Sequence, residues 1–393
     1  MIKPCYNEKG GNMKKIAILS LHLGYGGIEK SVTALANMLC EKYEVEIACT
    51  YQLYEQPAFK IDDRVKVKYL VKKYTPNEQE FKKQLRDKKI IKVTKEGLKA
   101  LKILYLRRKT MIEYIKNSDA DYIISTRDIF DRWLGDYANS QVVKIGWEHN
   151  HHHNNKKYAL NIIRSSWNLD YLVLVSKDLT KFYRREMLKS KCKCIYIPNV
   201  LDSIPKRLAP LKEKRLISVG RLSKEKAPED LVKIFNILIK KHPDWHLDII
   251  GDGDERRKIE NYLKKHNLEE KVTLHGFQNK EYIDDYLHKS SLYIMTSLTE
   301  SFGIVLLEAM SHGLPCVAFS SAEGAREIIT SGKNGYLIKN RNYSAMIKKI
   351  EDLMKDEEAR KYLGIEARKS IKKYTKEVVQ EDWYSLLEKK VER

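Results

Sequence analysis

No run of apolar residues in this 393-residue chain approaches the ~20 needed to span a bilayer. The first twelve residues, MIKPCYNEKGGN, lack the apolar stretch of a secretory signal, and Met13 directly precedes the first strand-like run. Residues 1–12 therefore read as a disordered leader or an overcalled start. Glycine (18) and proline (9) are too scarce for low complexity, and a hydrophobic content of 42% is too high for disorder. The six cysteines, Cys5, Cys40, Cys49, Cys192, Cys194 and Cys316, contain no C-x-x-C pair, which removes the usual zinc spacings. Cys40, Cys49 and Cys316 lie in apolar runs and read as small core residues of a protein in a reducing, cytoplasmic compartment. Acidic residues are also short, 53 against 74 Lys and Arg, for a net charge of +21. The excess is uneven: +16 falls in residues 1–200 and +5 in residues 201–393. On composition alone a solvated surface, anionic lipid, another polyanion and nucleic acid all fit.

What is present is an alternation of short β-branched runs with longer stretches of helical period, the pattern of parallel α/β domains. The first half offers strands at Lys15–Leu21, Val45–Thr50, Val65–Leu70, Tyr122–Thr126, Val142–Trp147, Tyr171–Val175 and Ile195–Ile197. The second half offers Leu216–Val219, His246–Ile250, Val272–Leu274, Leu292–Met295, Pro315–Phe319 and Tyr336–Ile338. A proline-rich stretch, Asp202–Lys212, places the domain cut, giving 13–201 and 202–375. The tail, Thr375–Arg393, reads as a charged helix with Val378, Val379, Trp383, Leu386 and Leu387 on one side; residues 376–393 are expected to pack back on the first domain.

One segment breaks the alternation. Residues 82–109 hold twelve Lys and Arg against Asp87 and Glu96, interleaved with Ile90, Ile91, Val93, Leu98, Leu101, Ile103, Leu104 and Leu106. This is the composition of a cationic amphipathic helix at an anionic membrane, or of a surface helix with its apolar side in an α/β core.

Three loops carry chemistry. Leu23-Gly24-Tyr25-Gly26-Gly27-Ile28-Glu29 joins the first strand to an amphipathic helix, where glycines let a ligand approach the backbone and free N–H groups attract an anion. The spacing is not that of the dinucleotide fingerprint, and no acidic residue closes the second strand, so NAD fits poorly. Val219-Gly220-Arg221 with Lys226 places two cations beyond the carboxyl end of a strand, where open α/β sheets bind ligands and where a diphosphate is held by charge-assisted bonds. Asp252 and Asp254, like Asp119 and Asp121, form Asp-x-Asp pairs, but turn chemistry accounts for them without a metal.

The third loop is the most informative. Thr296–Pro315, with Glu300 in a loop and Ser301–Ile304 at a helix N-terminus, reads strand, loop, helix, glycine stop. Glu308 lies within that otherwise apolar helix, where a carboxylate must find a hydrogen-bond donor; sugar hydroxyls suit it, and a neighbouring backbone is the plainer alternative.

These segments resemble the retaining, nucleotide-sugar-dependent glycosyltransferases of family 4. ESFGIVLLEAMSHGLP carries the Glu-x7-Glu of Glu300 and Glu308, accompanied in family order by IPNVLD, VGRLSKEK, IIGDGDE, LHGF, EGAREII and NGYLI. The resemblance implies the α/β GT-B fold, two Rossmann-like domains with parallel sheets facing a cleft, the first binding acceptor and the second donor. It implies that Arg221 and Lys226 grip the donor diphosphate, that Glu308 binds ribose hydroxyls, and that Glu300 binds the transferred sugar. Ser301, Phe302, Gly303 and Ile304 would offer backbone N–H groups, Gly276 and Phe277 would border the donor, and Gly26 and Gly27 would approach it from the first domain. The family's first-domain histidine maps onto His149, with His151, His152 and His153 within a few residues; a His-metal site is the competing reading of that run. Ala227 departs from the family pattern, where glycine or a polar residue is usual, and Val200 stands where glycine is frequent.

The expected reaction is transfer of a hexosyl unit from a UDP-sugar to a hydroxyl of a glycan or lipid-linked acceptor with retention, in bacterial cell-surface polysaccharide synthesis, with no cofactor and no metal. A basic nucleic-acid or polyanion binder and a non-catalytic glycosyltransferase partner are the alternatives. Nucleic acid is disfavoured because no recognition helix or RNP-like aromatic pattern is present. The first-half charge then reads as a face for anionic membrane or a pyrophosphate-linked acceptor, to be lost on neutralising Lys88, Lys89, Arg107 and Arg108.

Overall fold

The computed structural model describes residues 13–77, 80, 84–87, 90–152 and 155–389. The leader 1–12, Cys5, Lys88, Lys89 and His153 lie outside them. The chain divides into two compact units, residues 1–197 with 380–393, and residues 198–379. The division therefore falls four residues before the proline-rich stretch.

Unit 1 is a seven-stranded parallel sheet built from β1 (Lys15–Ser20), β2 (Glu44–Tyr51), β3 (Lys66–Val71), β4 (Tyr122–Ser125), β5 (Val143–Glu148), β6 (Tyr171–Leu174) and β7 (Lys193–Tyr196). The order is β3-β2-β1-β4-β5-β6-β7, so the direction of winding reverses between β1 and β4. β1, β4 and β6 are buried on both faces, as expected of central parallel strands covered by helices, whereas β3 alternates exposed lysines with partly buried residues at the sheet edge. The helices are α1 (Gly27–Leu39), α2 (Ile90–Asn117), α3 (Asp128–Tyr137), α4 (Lys156–Ser166) and α5 (Lys177–Glu186). α1 buries Val32, Leu35, Ala36 and Leu39, one stripe at helical spacing.

Unit 2 repeats the plan with β8 (Arg215–Val219), β9 (His246–Ile250), β10 (Val272–Leu274), β11 (Leu292–Met295), β12 (Cys316–Phe319) and β13 (Gly335–Ile338) in the order β10-β9-β8-β11-β12-β13, again all parallel. Its helices are α6 (Pro228–Leu238), α7 (Arg256–Lys265), α8 (Lys280–Lys289), α9 (Ile304–Ser311), α10 (Glu323–Ile328), α11 (Tyr343–Lys355) and α12 (Glu357–Ser370). α9 is apolar nearly all round and is buried accordingly.

The last helix, α13 (Lys376–Glu388), starts in unit 2 and ends in unit 1. Val379, Trp383, Leu386 and Leu387 are buried, and Trp383 meets Trp147 edge-on with ring centroids 5.4 Å apart. Gln380 Nε2 donates to the Met38 carbonyl (2.9 Å), and the Tyr122 hydroxyl donates to the Leu387 carbonyl. Val378 departs from expectation: one residue of helical rotation turns it off the buried stripe, and it is exposed.

Candidate functional site

In each unit the winding reversal opens a crevice at the carboxyl ends of two strands, β1 and β4 in unit 1 and β8 and β11 in unit 2. Such a point is where α/β sheets bind ligands.

In unit 2 the loop leaving β8 carries Gly220, Arg221 and Lys226, and the loop leaving β11 carries Thr296–Gly303. The two loops are latched together: Leu298 N–H donates to the Glu225 carbonyl (2.8 Å), and Thr296 Oγ1 donates to the Ala227 carbonyl (3.0 Å). Across this latch Lys226 Nζ forms an ion pair with the Glu300 carboxylate, both side chains being partly buried. The two residues assigned separately to diphosphate and sugar are thus partners of each other. Arg221 is exposed and forms no ion pair among the described residues. Glu308, 8% exposed, lies on the second turn of α9. Tyr293 on β11 is buried; its hydroxyl donates to the Val219 carbonyl (3.1 Å), and burial, with Cys316, Glu300 and Glu308 also contributing, holds its pKa well above the usual range.

Gly303 caps α9 at φ 91°, a left-handed conformation that favours glycine, and no side chain closes that N-terminus by a capping bond. Ser301, Phe302 and Ile304 flank it, but the Phe302 ring is buried edge-on against Tyr374 at 5.5 Å. Phe302 therefore belongs to the core and offers only its backbone. Gly276 (φ 69°) follows β10, its carbonyl accepting from Gly251 N–H (2.8 Å), and the neighbouring Phe277 is exposed. Asp252 accepts from Gly253 N–H (2.7 Å) and pairs with Arg256, which accounts for its place in the turn; Asp119 pairs with Lys15.

Sequence reasoning missed the residue that ties this crevice together. Arg341, after β13, donates to the Ser297 carbonyl (3.0 Å), the Thr296 carbonyl (3.0 Å) and Ser321 Oγ (3.0 Å), pairs with Asp230, and stacks over Phe319 at 4.4 Å. No local pattern marks it, because its partners come from three distant segments.

In unit 1 the crevice is lined by the loop after β1, by Arg127 after β4 and by His149 after β5. Glu29, in the first turn of α1, is buried; it pairs with Arg127 (3.3 Å) and lies 3.6 Å from His22. A Cβ on Gly26 would lie 2.1 Å from the Glu29 carboxylate, which folds back over the start of the helix, whereas Gly27 faces open space. Neither Glu29 nor Arg127 stood out in the sequence. His149 is 7% exposed, packs on the Trp147 ring at 4.2 Å, and has an unpartnered buried Nε2. Burial, with Arg127 nearby, lowers its pKa to about 3, so it is neutral at physiological pH. Its neighbours differ: His151 and His152 are half-buried and stack on each other at 4.5 Å, His152 also packing on Phe182. Glu148 accepts from Asn150 N–H (2.6 Å) and the Tyr158 hydroxyl (3.1 Å), and burial pushes its pKa up to about 7.

The family described as Glycosyl transferases group 1 matches residues 201–370. An uncharacterized glycosyltransferase of Haemophilus influenzae is 26% identical over 95% of this chain and 100% of its own length. The N-acetylgalactosamine-N,N'-diacetylbacillosaminyl-diphospho-undecaprenol 4-alpha-N-acetylgalactosaminyltransferase of Campylobacter jejuni is 26% identical over 94% of this chain and 98% of its own. Among solved structures, TarM of S. aureus, crystallised as a mutant with fondaparinux, alpha-GlcNAc-glycerol and UDP, superposes with a TM-score of 0.76 at 18% identity, covering 96% of this chain and 100% of that one. With its two parallel Rossmann-like sheets the chain has the GT-B fold, and the stretch that matches the Glycosyl transferases group 1 family lies within unit 2.

Proposed function

We propose that this protein is a retaining glycosyltransferase that moves a hexosyl unit from a UDP-sugar to a hydroxyl of a glycan or lipid-linked acceptor in bacterial cell-surface polysaccharide synthesis. The observation that carries the reading is the pairing of Lys226 with Glu300 beside the exposed Arg221, at the winding reversal of unit 2. A diphosphate entering there meets Arg221, Lys226 and the uncapped N-terminus of α9, three sources of positive potential. As it draws Lys226 toward itself, Glu300 is released to accept from sugar hydroxyls. Glu308 is assigned to the ribose, and neutral His149 is the unit 1 group offered to a sugar hydroxyl.

In this reading the bond between the anomeric carbon and the diphosphate oxygen breaks with its electron pair going to the diphosphate. The acceptor hydroxyl attacks from the same face, and its proton passes to the departing oxygen. Positive charge at Arg221 and Lys226 stabilises the leaving group. The chain then needs neither a covalent intermediate nor a metal. The names of the Campylobacter relative and of the TarM complex support a lipid-diphosphate or polymer acceptor and a UDP donor. A cytoplasmic protein in peripheral contact with the membrane would meet such an acceptor; among the described residues no helix is long and apolar enough to cross one.

The test is a thermal-shift panel of nucleotide sugars, then turnover with the stabilising donor and lipid-linked acceptors, scored by UDP release and product anomer. Free UDP with an extended, retained-configuration glycan is expected. A chain that no nucleotide sugar stabilises, but that binds DNA with a steep salt dependence, would sink the reading.

A further inference from the structure

α2 carries two apolar faces. One, with Ile103, Met111 and Ile115, is buried in unit 1, where Ile103 packs with Tyr51 and Val71. The other points the opposite way: Leu98 and Leu101 are each 64% exposed and Tyr105 is 62% exposed, at spacings of three and four residues that stack them on one line. An ordinary surface helix of an α/β domain has only the first face. The second is flanked by Lys95, Lys102, Arg108 and Lys109, all exposed. The two carboxylates of α2 do not interrupt it: Glu96 turns aside to Asn77 and Lys99, and Glu113 lies a turn or more beyond Tyr105 toward the C-terminal end. At that end Arg108 lines a cavity of about 420 Å3 that also holds Arg132 and Trp133, its Asp128 being engaged by Asn161.

We propose that this outward face of α2 docks the protein on an anionic bilayer, with Leu98, Leu101 and Tyr105 at the boundary of headgroups and acyl chains and the flanking cations at lipid phosphates. Exposed leucines ringed by positive charge gain from lipid on both counts, since apolar burial and phosphate attraction act together. The structure also revises which cations matter. Arg107, expected among the lipid contacts, is half-buried beside Tyr51 at the end of β2, and Lys88 and Lys89 lie outside the described residues. The proposal deepens the membrane contact invoked above, but its test does not depend on glycosyl transfer.

The full chain is sedimented with vesicles of phosphatidylcholine alone and with added phosphatidylglycerol. Wild-type protein is expected to pellet only with the anionic vesicles. Leu101→Ser with Tyr105→Ser should weaken partitioning roughly ten- to a hundredfold, and Arg108→Gln with Lys109→Gln roughly thirtyfold, at about 1 kcal/mol per cation. All four positions are solvent-exposed, so circular dichroism and the urea unfolding midpoint should match wild type. Wild-type protein left in the supernatant, or variants that pellet like wild type, would overturn the proposal. So would a concentration-dependent dimer that the Leu101→Ser, Tyr105→Ser variant abolishes while vesicle binding persists, since the face would then cover a second copy.

Discussion

Lys226 and Glu300, 74 residues apart in sequence, meet as an ion pair where the winding of the second sheet reverses. Each side chain places the other and compensates its charge, and a diphosphate bound by Lys226 must displace that arrangement. Lys226→Ala leaves Glu300 without its cation next to an incoming anion, so like-charge repulsion adds to the lost contact. Donor kcat/KM is expected to fall about a hundredfold in Arg221→Ala, from the usual ~1.5–3 kcal/mol of a charged hydrogen bond, and about a thousandfold in Lys226→Ala, where the repulsion adds roughly 1 kcal/mol. The double variant Lys226→Ala, Glu300→Gln should recover part of the loss in donor binding but not in kcat. Steady-state kinetics with saturating acceptor separates the two. Wild-type turnover by Arg221→Ala or Lys226→Ala would remove the diphosphate assignment.

Two adjacent residues at the end of β5 titrate in opposite senses. Glu148 has its folded pKa raised to about 7 by burial, so its neutral form is favoured and stability is lost as pH rises from the unfolded carboxylate value toward 7. His149 has its folded pKa lowered to about 3, so stability is lost as pH falls from about 6.5 toward 3, where only the unfolded state gains the proton. Urea unfolding from pH 4.5 to 8 should show Glu148→Gln gaining about 3 kcal/mol relative to wild type across that range, at 1.36 kcal/mol per pH unit. Parallel pH profiles for the two proteins would mean that Glu148 is solvated in solution.

Much of this was legible in the sequence because it rests on local pattern. Among the described residues, all thirteen strands overlap the short β-branched runs that predict them, since a parallel strand covered on both faces has to be apolar along its length. The loops bearing Arg221, Lys226 and Glu300 were legible because strand–loop–helix junctions in such sheets present their side chains at one edge. Glu29, Arg127 and Arg341 were not, because each acts through a partner that only the tertiary fold supplies. Arg107 and Val378 show the same limit on a helix, where one step of 100° separates a buried position from an exposed one. The second apolar face of α2 was visible as composition, but its direction required the packing of Ile103, Met111 and Ile115.

Ala227, which stands where glycine or a polar residue is usual in the resembling family, sits at φ 47° and ψ 52° between the Lys224–Lys226 turn and α6. A left-handed alanine costs roughly 1 kcal/mol of steric strain, which glycine avoids at some cost in unfolded-state entropy. Ala227→Gly is expected to stabilise unit 2 by about 0.5 kcal/mol, read as a higher urea midpoint at unchanged slope. Activity should stay close to wild type, because the Thr296 bond to this residue uses only its carbonyl. A lower midpoint would show that the strain is already relieved by neighbouring contacts.

Gly324, in the first turn of α10, has no room for a side chain. A Cβ there would lie 2.1 Å from the Phe302 carbonyl oxygen and 2.4 Å from Phe302 Cα, and its N–H donates to the Glu300 carbonyl at 2.6 Å. The residue therefore clamps the Glu300–Gly303 loop from behind, and the clash is with backbone, which cannot rotate away. Gly324→Ala should push that loop outward, misplacing Glu300 and the N-terminus of α9 together. Because displacement of positioned groups by about 1 Å costs on the order of a hundredfold in rate, kcat/KM for the donor should drop by that factor. Overpacking should also cost roughly 1–3 kcal/mol of stability. Kinetics measured well below the melting transition isolates the first effect. A variant that is destabilised yet turns over normally would show that the Glu300–Gly303 loop does not set the geometry of the donor site.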